Sequence, residues 1–413
     1  MEISKRKVNL WIVAIFLLAD SRFFYLIPMT SYLGGAASNK TLVGVIGFVL
    51  FVSMTIINGG IVKLGIYGKS IFLFLTFLFF QGIYEYFTYG YSFTTILFSI
   101  IPYFTLLMYM EILYVAQEDF EGLLKLIENI AIILSVLLLI QMFVYNHIHT
   151  MFLHFTLSDW FTVYYPTAKG RFYTVAEGLI RCVPLLAFYD LLRPKKTMLR
   201  SYLSFSFSLL AIIFIDQSRM YFLSVVIALI VMYMVANKDK ITLNRLIGAI
   251  IILIVATIFI MQKLNSIYFD LSDSTNGSGY AREDAINYYW NLLSTHFFTG
   301  LGIVIPDPGA MYYNLIKGPE GIYNFDDIGL MGIYASMGFI GVIWYIYIVI
   351  KNFIYAHKTK GVFERALSYG LSFMMVFCCL TLSYLDKERL MALVITMVLI
   401  NYGYRKSKIE IRK

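Results

Sequence analysis

Asp326-Asp327-Ile328-Gly329 opens the run DDIGLMGIYASMGFIGVIWYIYIVIK (326–351), and the reading of this run decides the fold. Past the two carboxylates it stays apolar as far as Lys351, longer than the roughly 20 residues that cross the hydrocarbon core of a bilayer as a helix. Gly329, Gly332, Gly338 and Gly341 punctuate it. Just before it lies the one long polar segment of the chain, 265–326, which holds Arg282, His296 and a second half rich in Pro and Gly.

Outward from this run the same apolar pattern recurs. Twelve such stretches are centred on 10–27, 41–60, 68–88, 92–114, 127–146, 172–192, 202–215, 220–236, 246–263, 328–350, 367–385 and 390–404. A chain of 413 residues with 60% hydrophobic and 14% charged side chains is not a soluble globule. The expected fold is an all-α polytopic integral membrane protein of about 12 transmembrane helices, a single transmembrane domain over 1–413. Within it, 265–326 forms a long extracytoplasmic loop with a short helix near 280–297. The N-terminus, Lys5-Arg6-Lys7 followed by an apolar run, is read as a retained first span, because no small-residue cleavage site follows and Asp20 and Arg22 interrupt the run.

Orientation follows from Lys and Arg. With both termini cytoplasmic, the inner segments collect 22 of the 33 basic residues. The net charge of +8 is then a topology signal and not a nucleic-acid footprint. A basic, aromatic inner rim also suits anionic membrane lipids. Cys182, Cys378 and Cys379 fall inside spans and read as small apolar fillers. His147, His149 and His154 follow no compact metal-binding signature, so no metal is expected. The segment 117–128 is read as a cytoplasmic surface helix.

Ionisable groups inside a membrane are costly and mark function by default. Here they gather on the outer side: Asp20, Arg22, Glu85, Arg171, Glu177, Arg181, Asp216, Arg219, Arg282, Asp326, Asp327, Asp386, Glu388 and Arg389. Asp386, Glu388 and Arg389 read as an ordinary short loop, and Asp20 with Arg22 as a structural pair. Arg282 continues a helical stripe through Ile286, Tyr289, Trp290, Leu293 and Phe297, which points it at the membrane domain. Four guanidinium groups, Arg171, Arg181, Arg219 and Arg282, suit phosphate oxygens, and a pyrophosphate on a lipid carrier would explain them. An acidic pair at a helix start also fits an N-cap, and one of Asp326 and Asp327 is expected to cap.

Three places resemble the O-antigen ligase and repeat-unit polymerase superfamily, in particular its Wzy-type capsule and exopolysaccharide polymerases. Ser218-Arg219-Met-Tyr-Phe-Leu223 resembles the Arg-x3-Leu pattern that opens a span in that family. Arg282 through Trp290 to Gly300-Leu-Gly302 resembles its outer-loop helix and Gly-x-Gly turn. Asp327 with Gly338 has the spacing of its His-x10-Gly motif, with Asp in place of the ligases' His. Lys169-Gly-Arg171 is similar to the family's Arg at that span's entrance.

The resemblance implies a GT-C-like architecture in the bacterial cytoplasmic membrane. It implies inverting, metal-independent glycosyl transfer without a cofactor, from an undecaprenyl-pyrophosphate-linked glycan to the terminal hydroxyl of a lipid-linked repeat unit. Arg219 and Arg282, then Arg171 and Arg181, would stabilise the leaving pyrophosphate. Asp327, with Asp326 and Glu177 behind it, would take the acceptor proton, and His296 could contact sugar. A flippase and a chain-length regulator are the protein partners implied; nucleic acid is not. Two other classes share these features. A lipid-linked oligosaccharide flippase should offer polar groups to both sides, and an O-antigen-type ligase would use the same donor site.

Overall fold

A helix that is apolar on every side has nowhere to face but other helices. Leu390–Ile400 is such a stretch, and every residue of it is buried. The computed structural model describes residues 5–27, 36–60, 63–154, 177–193, 198–216, 218–237, 278–292, 295–305, 309–319 and 321–412. Among these residues all regular structure is helical and no strand occurs.

The helices are α1 (Lys5–Asp20), α2 (Ala36–Ile57), α3 (Gly68–Tyr89), α4 (Phe93–Ile100), α5 (Met108–Glu118), α6 (Phe120–Ile148), α7 (Glu177–Leu192), α8 (Leu199–Ala211), α9 (Arg219–Ala236), α10 (Ser278–Leu292), α11 (Tyr313–Lys317), α12 (Gly329–Lys358), α13 (Val362–Cys378) and α14 (Leu390–Arg412). Eleven of the twelve apolar runs carry helix; the run 246–263 lies outside the described residues. Among the described residues, six helical stretches are long and apolar enough to cross a membrane by themselves: Asn39–Ile57, Gly68–Tyr89, Phe93–Glu118, Phe120–Ile148, Leu199–Asp216 and Gly329–Lys358. The chain is an α-helical membrane protein.

Several boundaries have local causes. Pro102 sits in a 3-10 turn, Ile101–Leu107, that interrupts the stretch from α4 to α5, because proline lacks the N–H that an α-helix needs. Asp119 accepts from the Gly122 amide at 2.9 Å and caps α6. Residues 117–128 are therefore no separate surface helix. They are the end of α5 and the first turns of a 29-residue helix, with Leu123, Leu124, Ile127 and Glu128 buried. The apolar pattern of 117–128 continues without a break into the span that follows, so packing absorbs it. At the end of α1 the chain passes through four left-handed residues, Arg22 to Tyr25.

Around α14 stand α5, α7, α12 and α13. Polar side chains stitch this core together, as they do where lipid offers no alternative partner. Asn401 donates to the Tyr109 hydroxyl at 2.6 Å, Tyr67 donates to Asn352 at 2.6 Å, and the Trp344 indole donates to the Ser70 carbonyl at 2.8 Å. At one end of the bundle the charges are paired off: Arg6 with Asp119, Arg193 with Glu121, Arg200 with Glu128 and Lys406 with Glu364. The opposite end carries the mouth of α12.

Candidate functional site

The Asp pair lies in a 3-10 turn, Phe325–Asp327, and Ile328 occupies the N-cap position of α12 with no side-chain cap. This corrects the expectation that one carboxylate caps the helix. Backbone carbonyls do that work. The Gly329 amide donates to Thr381 at 2.9 Å and the Leu330 amide to Cys379 at 3.0 Å, both in the α13–α14 loop. The approach is close: a Cβ on Gly329, whose φ is +55°, would lie 2.1 Å from the Cys379 oxygen. Both carboxylates are thereby left free of the helix end.

Ten residues further, α12 breaks. Gly338 has φ 61° and ψ −163° in mid-helix, a conformation essentially confined to glycine. A broken helix in a membrane must find new partners for its freed backbone groups. The segment 297–304 supplies them. The Leu301 amide donates to Ala335 at 2.7 Å, the Gly302 amide to Ser336 at 3.1 Å, and the Phe339 amide to Phe297 at 2.9 Å. Gly300 lies so close that a Cβ there would meet the Gly338 nitrogen at 2.6 Å. The two glycine motifs of the sequence are thus halves of one structure.

Two side chains one turn apart on α3 hold this segment. Gln81 donates to the carbonyls of Thr299 at 2.9 Å and Ser336 at 2.6 Å. Buried Glu85 accepts from the amides of Ile303 at 2.8 Å and Val304 at 3.1 Å. Glu85, read from the sequence only as one of many outer charges, is a backbone acceptor that fixes the loop.

Between these elements is a solvent-open recess of about 50 Å³, lined in part by Tyr103, Asp326, Ser336, Ser383, Asp386 and Lys387. It has room for a few water molecules. Asp326, and not Asp327, lines it. The Asp326 side chain is exposed to the recess yet ringed by protein. That desolvation, and then the charge of Asp386, push its carboxyl up to about 7, against the pull of Arg389 and Lys387. Arg389 pairs with Asp386 at 2.6 Å and donates to the Asp326 carbonyl at 3.2 Å. Burial pushes the Lys387 amine down, while the carboxylates around it push it back up. Lys317, whose ammonium hydrogen-bonds Asn324, is likewise lowered by burial and faces the charges of both aspartates.

Residues 386–389 are therefore no ordinary short loop. Asp386 and Lys387, with Ser383 and Leu385, form the second wall of the recess. A third set of charges anchors that wall: Lys40 of α2 pairs with Asp20 at 3.0 Å and reaches Glu388 at 3.7 Å, all deeply buried. Asp20 thus pairs with Lys40, and the expected pairing with Arg22 is replaced. The signal available in the sequence was four consecutive charges, Asp386-Lys387-Glu388-Arg389, between two apolar spans.

The arginines distribute differently. Arg282 is half-buried on α10, on the face of Ala285 and Tyr289, whereas Ile286 and Trp290 point outward at 40% and 67% exposure. The inward stripe is thus rotated from the one read in the sequence, and the helix ends at Leu292. Tyr289 donates to the Ile316 carbonyl at 2.6 Å and packs on Phe325, ring centres 5.0 Å apart, so α10 docks directly on the turn that carries the Asp pair. His296 follows the helix in a half-buried turn, its Nδ1 2.8 Å from the Thr295 hydroxyl. Arg219 is the first residue of α9 and Glu177 the first of α7; their side chains, and all of Arg171, lie outside the described residues.

Arg181 is buried, grips Asp216 through Nε at 2.7 Å and Nη2 at 2.5 Å, and stacks 3.5 Å over the Tyr221 ring at the start of α9. Removing one member of such a buried pair strands the other charge. Arg181→Met should cost about 3–5 kcal/mol, read as a lower thermal midpoint in detergent, and Arg181→Met with Asp216→Leu should regain most of it.

Residues 204–346, from α8 into α12, match a family model described as O-Antigen ligase. No curated protein matches the chain. The matched segment contains Arg219, Arg282, the Gly300 and Gly338 stitch and the Asp pair; Asp386 and Lys387 fall beyond it.

Proposed function

We propose that the chain, whose residues 204–346 match a family model described as O-Antigen ligase, belongs to the O-antigen ligase/polymerase superfamily and joins lipid-linked oligosaccharide repeat units into polysaccharide at the outer face of the bacterial cytoplasmic membrane. The distribution of Lys and Arg supports that orientation, with both termini cytoplasmic and about twelve spans. The observation that carries the reading is Asp326: a carboxyl free of capping duty, facing a water-sized recess at the mouth of a broken helix, and balanced near neutrality.

A base needs a pKa near the working pH and access to the proton it removes. In the reaction the acceptor hydroxyl oxygen bonds to the anomeric carbon from the face opposite the pyrophosphate. Its proton passes to Asp326, and the anomeric C–O bond to pyrophosphate breaks with its electron pair leaving on phosphate. The configuration inverts. Arg219, Arg282 and Arg171 are the cations proposed to receive that charge. Asp326 works ionised, so turnover should rise as pH climbs through about 7.

A second reading, transfer of finished glycan to a terminal acceptor, is favoured by the family description itself. The glycan profile of a deletion strain separates the readings. Single lipid-linked units accumulating on the outer face, with the polymer ladder gone, are the expected result. Long polymer still on its lipid would mean a ligase. Units trapped on the inner face would mean a flippase and would overturn both.

A further inference from the structure

We propose that Lys387, in the loop between α13 and α14, is a positioning residue of the transfer site whose ammonium keeps Asp326 ionised to receive the acceptor proton; this rests on the reading that Asp326 is the base.

The argument is geometric. Asp326 and Lys387 line the same small recess from opposite walls, one from the turn before α12 and one from the α13–α14 loop. The other cations nearby are already committed. Arg389 is held by Asp386 at 2.6 Å, and Lys40 by Asp20 at 3.0 Å. Lys317 is tied to Asn324, although it too feels the charges of Asp326 and Asp327. Lys387 makes no hydrogen bond or ion pair within 4 Å among the described residues, so its ammonium is the cation that the recess itself presents.

Besides Lys387, the groups facing Asp326 are Asp327 on its own turn, Asp386 across the recess, Arg389 beside Asp386, Lys317 ahead of the turn and Tyr103 on the 3-10 turn, with Glu85 of α3 near Lys387. A carboxyl among carboxyls stays protonated, and a protonated carboxyl cannot serve as the base. One unpaired cation at the recess wall tips that balance. Its stem stays in place because Glu388 and Arg389, the next two residues, are clamped by Lys40 and Asp386.

The test uses the full-length protein in lipid nanodiscs, with infrared titration of the protonated-carboxyl band, and the same variants in cells. Asp326→Asn identifies the band. The expected result is a midpoint near 7 in the wild type, moved up by about one pH unit or more in Lys387→Met. Lys387→Arg should restore it. In cells, Lys387→Met should make roughly tenfold less polymer at pH 6.5 and approach wild type at pH 8.5, since the site faces the medium.

An unmoved midpoint in Lys387→Met would overturn the proposal, whatever the polymer does. So would an equal loss of polymer at every pH, the mark of a merely structural residue. If the midpoint moves but Asp326→Asn still polymerises normally, the electrostatic coupling stands, the assignment of Asp326 as base fails, and the role given to Lys387 falls with it.

Discussion

Asp326→Asn should cut chain growth by on the order of 10²-fold or more, while the protein folds as before. Both halves of this expectation come from the mouth of α12. The amide side chain keeps the size of the carboxylate and loses its ability to take a proton. The helix start does not notice, because its first amides are capped by the carbonyls of Thr381 and Cys379. Had Asp326 been the cap, the same substitution would have damaged both fold and function and decided nothing.

The pH dependence of stability sharpens the test. Asp326 is raised in the fold to about 7, from an unfolded value near 3.9. The folded state then holds the extra proton, so the carboxylate subtracts stability as pH rises from about 4 to 7. Asp326→Asn escapes that loss. Its thermal midpoint should match wild type below about pH 4 and exceed it at pH 8, with the glycan ladder missing. Asp327→Asn, which does not line the recess, should lose less. An intact ladder in Asp326→Asn would end the assignment.

The second large effect is structural. Gly338→Ala should cost about 2–6 kcal/mol, combining a backbone that tolerates only glycine with an overlap that the core must relieve. The Cβ would lie 2.3 Å from the carbonyl carbon and oxygen of Phe298. The substitution therefore does more than strain one residue. It pushes away the segment that satisfies Ala335, Ser336 and Phe339. Gly300→Ala attacks the same joint from the other side, 2.6 Å from the Gly338 nitrogen. The two should be strongly non-additive, since either one alone already opens the stitch. Thermal unfolding of the singles and the double in detergent measures this; simple additivity would mean that the glycines serve separate purposes.

Helix content and membrane residence were legible from hydropathy alone, because a bilayer permits so few backbone solutions. The helix of Arg282 was legible in part. Periodicity found the helix and put Tyr289 on its inner face, but it set Ile286 and Trp290 beside it, whereas aromatic packing on Phe325 turns the helix so that Ala285 joins Tyr289 there. Of the recess, the sequence offered Asp326 and left Lys387 and Asp386 in a loop that looked ordinary. Their role depends on the pair of Arg389 with Asp386 and on Lys40, which lies far away in the chain and reaches Glu388 only through the fold. The break at Gly338 was visible as a glycine, but nothing local said that Gln81 and Glu85 would sit across it.

The joints of α12 are made from peptide groups: two carbonyls at its start, and one carbonyl and two amides from the 297–302 segment at its break. Such contacts carry no side-chain identity. A change of residue at Thr381, Cys379, Leu301 or Phe297 leaves the peptide group in place, so the composition of these positions is free to drift while the shape persists. Chain length has no such freedom, because one residue inserted into 379–381 or 297–302 would put every carbonyl out of step with its amide. Relatives of this protein should therefore differ in letters along these segments and agree in their count.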